Sequence, residues 1–330
     1  MIRHLAVSLF LCLPAGGTDA ACAGQDILPT LDAARRAGID AAVDSLAYGR
    51  GNHWRATKGK AVIHLLGTYH LDDPRHDAIM DRLAPAIDAA RTVLVEAGPE
   101  EQAALQADMV RRPDRLFTRE GPTLPERLDA ADWKALSAAM QERGVPAFMA
   151  AKMQPWYVAM LLGIPACAIA DMAGDPNGLD TLIVARAAEH GIPVRALESY
   201  DTVFTLFDGM APAEQIDMIR TTLAMNARAE DYAATLTEAY FAEDVRATWE
   251  LGRMVALEIP GETPASVDAD LAAMEELLMF RRNRAWLPVI EEAAAEGPVF
   301  AAFGALHLSG RDGVLALLEH AGYAIERLPF

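Results

Sequence analysis

Twice in this chain an apolar run closes on glycine and meets a histidine three residues later. Val62-Ile63-His64-Leu65-Leu66 ends on Gly67 with His70 behind it, in "HLLGTYHLDD", and "FAAFGALHLSG" (300–310) carries Gly304 and His307 in the same relation. A strand leaving a sheet must turn sharply. A residue without Cβ can take positive φ there and lets a ligand approach the backbone. The short turn then carries the imidazole over the rim of the sheet instead of into its core. The spacing therefore predicts two strand ends that meet at one edge, each presenting a histidine.

The rest of the pattern supplies the sheet. Residues 61–66 read as a strand, 76–90 as an amphipathic helix and "TVLVEAG" (92–98) as a second strand, a βαβ unit with parallel pairing. A helix over 178–191 ends on Gly191 before the strand "IPVRALES" (192–199), and the chain closes with strand 298–303, helix 311–321 and strand 323–328. The stretches 100–163 and 203–295 are helical and broken by prolines, and 49–60, "GRGNHWRATKGK", reads as a polar connection. The expected fold is α/β, a mostly parallel sheet core with long helical insertions. The expected division is a leader over 1–23, a helical lead-in over 24–56 and one domain over 57–330.

The leader reading rests on Arg3, the apolar "LAVSLFLCLPAGG" and the small residues "ACA" (21–23), which favour a cut near Ala23 and a periplasmic or secreted location. With Cys12 in the leader and Cys22 at its edge, only Cys167 remains in the body, so no internal disulfide is expected. With 29 Lys and Arg against 47 Asp and Glu, the net charge is −18, which disfavours nucleic acid and anionic membranes as partners.

In parallel sheets, ligands bind outside the carboxyl ends of the strands. Four ionisable residues fall at such ends: His70, His307, Glu96 closing "TVLVE" and Glu198 closing "VRALE". Imidazole plus carboxylate suits Zn, Mn, Fe or Co with positions left for water and substrate, and a spare carboxylate can serve as general base. Glu96 is the candidate for that base. His64 reads as a structural residue inside its strand, His76 as a surface residue, and His53 as a loop residue with no partner suggested. "RRNR" (281–284) reads as a solvated helix face. No Gly-rich phosphate loop, nucleophile elbow, His-Glu-x-x-His helix or Cys-x-x-Cys pair occurs.

Seven blocks in order resemble the TraB/PrgY/GumN family, which includes the Tiki proteins: "HLLGTYH", "TVLVEAGPE", "TLPERLDAADWKAL", "KMQPWYVAMLL", "GLDTLIVARAAEHGIPVRALES", "RRNRAWLPVI" and "VFAAFGALHLSGRDGVLALLEHAGYAIERL". The resemblance spans about 57 to 330 and implies an erythromycin-esterase/ChaN-like fold. It implies functional roles for Gly67 and His70, Gly304 and His307, Glu96 and Glu198, and places Arg282 and Asn283 beside them. The Tiki branch implies a divalent-metal-dependent protease (Mn or Co; the donor set also admits Zn) acting on a peptide or protein. Alternatives are a non-catalytic protein holding a metal, haem or peptide on the same rim, and an esterase-like hydrolase without metal in which a histidine is the general base. The chain ends soon after its last strand, so no stable membrane anchor is expected.

Overall fold

The computed structural model describes residues 22–169, 178–259 and 261–330. The leader expected over 1–23 lies almost wholly outside them. Six strands form one sheet: β1 (His53–Lys58), β2 (Ala61–Thr68), β3 (Thr92–Val95), β4 (Val194–Ala196), β5 (Val299–Gly304) and β6 (Ala324–Arg327), in the order β4-β3-β5-β2-β1-β6. Strands β4, β3, β5 and β2 run parallel, while β1 pairs antiparallel with both β2 and β6.

Period-two alternation along β5 explains why the sheet is covered on both faces. Val299, Ala301 and Phe303 pack into one core with Trp286, Ile290 and Leu315, and Phe300 and Ala302 into the other with Leu83, Ile87 and Ile183. Phe300 and Phe303 are 0% and 1% exposed, which contributes about 1.5–3 kcal/mol for each ring. The helices His76–Asp88 and Leu179–Glu189 lie on one face, and Arg281–Glu296 and Val314–His320 on the other. Helical insertions between β3 and β4 and between β4 and β5 bury cores of their own around Leu136 and Met140 and around Trp156 and Phe207.

Several expectations are corrected. The supposed connection 49–60 contains β1, whose Trp54 and Ala56 are buried while Arg55 and Thr57 alternate outward; its polar composition hid a strand second from the edge. β2 and β3 are parallel but not paired, because β5 lies between them. His53 is buried, with Nδ1 2.9 Å from the Pro329 carbonyl and Nε2 3.3 Å from His64 Nδ1. His76 is 1% exposed and ringed by Tyr69, Tyr240 and Phe241, because the first turn of its helix packs against the turn after β2 and the end of the helix Ala229–Phe241. Cys22 and Cys167 form a disulfide with a Cα–Cα distance of 5.3 Å, against the expectation of none. Residues 23–27 reach that position by donating the backbone N–H of Ala23 to Glu230, Gln25 to Asp231 and Ile27 to Thr235 on the helix Ala229–Phe241. A cut after Ala23 would discard one half of this bridge.

Candidate functional site

Strand register gathers the predicted residues. Gly67 lies opposite Phe303 and Thr68 opposite Gly304, so both Gly-x-x-His turns leave neighbouring strands side by side. Val95 is opposite Ala302 and Ala196, which brings Glu96 and Glu198 out at the same rim. Neither glycine uses positive φ, contrary to expectation; Gly304 has φ −49°. Space is the reason for both. A methyl group on Gly67 would sit 2.7 Å from the Ala305 Cα. One on Gly304 would lie 3.3 Å from Glu96 Oε1, 3.7 Å from His70 Nε2 and 3.8 Å from His307 Cδ2. The missing side chain of Gly304 thus leaves a gap bordered by three of the four predicted residues.

Each imidazole is anchored through its far nitrogen. His70 Nδ1 donates to Asp180 Oδ1 at 3.1 Å, from the first turn of the helix Leu179–Glu189. The backbone there is locked as well: Leu179 N–H donates to Tyr69 O at 3.0 Å, and a methyl on Gly178 would lie 2.2 Å from the His70 carbonyl oxygen. His307 Nδ1 donates to Asn283 Oδ1 at 2.5 Å, while Asn283 Nδ2 donates to the carbonyls of His307 and Asp312. A carboxylate and an amide oxygen only accept, so these bonds assign the proton to Nδ1 in both rings; Nε2 of His70 is left for the gap, whereas Nε2 of His307 meets Arg282.

Glu96 and Glu198 are joined by Arg282. Its Nη2 donates to Glu96 Oε2 at 2.5 Å and to Glu198 Oε1 at 2.6 Å, and its Nε donates to Glu198 Oε2 at 2.8 Å. Nη1 donates to Leu278 O at 3.0 Å and to His307 Nε2 at 3.2 Å. Trp286 Nε1 donates to Glu198 Oε2 at 3.0 Å from beneath, and Glu96 Oε1 accepts the Gly304 N–H at 2.7 Å. Arg282 and Asn283 are therefore inside the site, and the solvated face expected of 281–284 holds only for Arg281 and Arg284.

These surroundings set the charges. Burial opposes ionisation of Glu96, but His307, Arg282, His70 and the Gly304 N–H outweigh it and hold the carboxyl down to about 2. Burial pushes His307 down to about 4 against the pull of Glu96, so its ring is neutral. His70 goes the other way: the bond to Asp180 raises it more than desolvation lowers it. Asp180 is the residue that sequence reasoning missed. An acidic residue in a first helical turn carries the ordinary meaning of a favourable helix-dipole partner, and 110 positions separate it from His70.

Do these residues fit the divalent ion that the resemblance implies? Donor chemistry favours it, since His307 is neutral, Glu96 is ionised and both Nδ1 atoms are anchored as metal-binding histidines usually are. Spacing does not. Among the described residues no three His, Cys, Asp or Glu side chains stand close enough to hold an ion, His307 Nε2 lies 4.0 Å from Glu96 Oε1, and the Arg282 guanidinium contacts both. In this arrangement the residues do not fit a metal.

No helix among the described residues is long and apolar enough to cross a membrane. No curated protein and no solved structure gives a match. The TraB/PrgY/gumN family does match, over residues 52–327, and the chain belongs to that family.

Proposed function

Starting from that membership, we propose that the chain is an exported hydrolase, acting on peptide bonds, in which His70 carries the proton for an attacking water. The observation that carries this reading is the gap at Gly304: two imidazoles and an ionised carboxylate border it, and of the three only His70 has its pKa raised from the histidine range. A general base works best with a pKa near the operating pH. Glu96, held to about 2, is too weak a base and suits an electrostatic role, whereas His70 is solvent-reachable and oriented by Asp180 in the manner of an acid–base histidine. The charge of the Arg282 guanidinium, on the same rim, favours a developing oxyanion. The peptide class is taken from the family resemblance, and export draws support from the Cys22–Cys167 bridge, since disulfides persist in oxidising compartments.

A second reading is the metal-dependent protease, with His70, His307, Glu96 and Glu198 as ligands to Mn, Co or Zn; the two anchored Nδ1 atoms favour it. Digesting a peptide library with the purified chain, with and without EDTA, separates the two. EDTA-resistant cleavage lost by roughly 10²-fold in His70→Ala supports the first; cleavage restored only by added metal supports the second. Full activity in both His70→Ala and His307→Ala sinks the site. Intact-mass measurement on protein expressed with its native N-terminus should find a cut before Cys22; a species starting at Met1 refutes the export reading, and one starting at Gly24 removes the bridge as its support.

A further inference from the structure

We infer that Arg282 is the resident cation of this site, and that a divalent ion binds only by displacing its guanidinium. The inference rests on taking the Gly304 gap as the reactive centre, but not on which bond is cleaved.

An arginine has five N–H donors in a rigid fork, and here all five are used. They go to two carboxylates, one imidazole nitrogen and one backbone carbonyl. Three of those partners, Glu96, Glu198 and His307 Nε2, are the atoms that a metal at this rim would take. The side chain is 15% exposed and lies over the Trp286 ring, 4.9 Å from its centroid, so it is held by packing as well as by charge. Glu96 and Glu198 carry two negative charges against one positive charge on Arg282. Adding an ion beside the guanidinium would set two cations on the same acceptors, whereas exchanging one for the other would keep Glu96, Glu198 and His307 Nε2 partnered and release only the Leu278 carbonyl.

The backbone that carries this arginine is irregular. The helix that carries Arg282 begins directly after a π-helical segment, Glu276–Phe280. Such wide turns interrupt the α-helical register and recur at functional sites. Leu278, inside this turn, provides the carbonyl that takes Arg282 Nη1. The wide turn and the guanidinium are thus tied to each other through that carbonyl.

The test is calorimetric titration of the full chain with MnCl2 alone, comparing wild type, Arg282→Lys and Arg282→Gln, each checked for folding by its melt. Removing the cation should tighten Mn2+ binding by at least 10-fold in Arg282→Gln, and His307→Ala on that background should cancel the gain. Arg282→Lys keeps the charge and should stay within a few-fold of wild type. Equal affinity in wild type and Arg282→Gln overturns the inference. Wild-type protein gives an independent readout that survives a misfolded variant. The Arg282 Nε–H resonance, assigned by its loss in Arg282→Lys, should shift or vanish on saturation with ZnCl2, and an unmoved resonance in zinc-saturated protein overturns the inference too. Neither readout involves peptide cleavage, so a failed hydrolase reading and a failed displacement are told apart.

Discussion

The turns after β2 and β5 share a sequence motif and little else. His70 leaves 62% of its side chain exposed and is tethered by a carboxylate; His307 leaves 7% and is tethered by an amide, with its ring 4.4 Å from that of Trp286. The first imidazole is pushed toward protonation by Asp180, the second is held neutral by burial. The glycines divide in the same way. Gly67 is small because the backbone of the other turn presses on it, and Gly304 is small because three polar groups share the space beside it. The motif is thus a way to place an imidazole at a strand end, and the neighbours decide whether it carries a proton or stays neutral.

The largest effect that should separate the turns is steric. Gly67→Val puts side-chain atoms into the Ala305 backbone, which cannot step aside as a rotamer can, so destabilisation at or above the usual 1–3 kcal/mol of overpacking is expected. Gly304→Ala meets only side-chain ends at 3.3 Å or more, so the fold should persist within about 1 kcal/mol while the gap, and any cleavage, is lost. Urea melts beside peptide digestion check both. If Gly67→Val folds normally, the division between packing and site glycines is wrong.

Next in size is an acid-side loss of stability from His307. Its folded pKa is near 4 against about 6.5 unfolded, so the unfolded chain takes the proton first as pH falls. Stability from this group is complete above about pH 6.5 and drains away toward pH 4, by at most about 3 kcal/mol. His307→Gln should flatten that limb in urea melts at pH 4 to 7, and an unchanged slope would mean that the buried ring is not neutral. Glu96 adds a second loss at lower pH, as the solution falls from about 4.5 toward 2.

How much of this was legible in the chain depends on the distance over which each signal acts. Glu96, Glu198 and both histidines follow apolar strand runs directly, so strand periodicity alone brought them to one rim. Arg282 and Asn283 could not be told from Arg281 and Arg284 by composition, because the four sit on successive positions of one helix and only its docking decides which faces point inward; the family resemblance marked them. β1 was missed because its outward residues are polar and its inward ones, Trp54 and Ala56, are few. The Cys22–Cys167 bridge joins positions 145 apart, and the polar bonds that steer residues 23–27 are tertiary. The inward turn of His76 is tertiary too.

Exchanging the two anchors tests the comparison most directly. Asn283→Asp replaces an amide that donates to the carbonyls of His307 and Asp312 with a carboxylate that cannot, in a place 1% exposed. Two buried acceptors lose their donor and a third acid joins Glu96 and Glu198, so a cost of about 2 kcal/mol or more is expected, together with a rise in the His307 pKa. Asp180→Asn is the gentler half. His70 and Asp180 are both solvent-reachable, so the pair contributes no more than the few tenths of a kcal/mol typical of exposed ion pairs. Because Asp180 raises the folded pKa of His70, that small contribution is present below the unfolded histidine value and fades as pH rises through the folded one. Its loss should be visible only on the acid side of neutrality. The chemical effect is larger than the energetic one. An asparagine can turn its NH2 toward Nδ1, which would move the ring proton to Nε2 and point a donor, not a lone pair, into the Gly304 gap. Nitrogen-15 shifts of His70 should then report the other tautomer and a lower pKa, and cleavage should fall with little change in melting temperature. Asp180→Glu should restore part of the rate. If Asp180→Asn leaves both the tautomer and the rate–pH profile of the wild type, the exposed histidine needs no anchor, and the two turns differ only in burial.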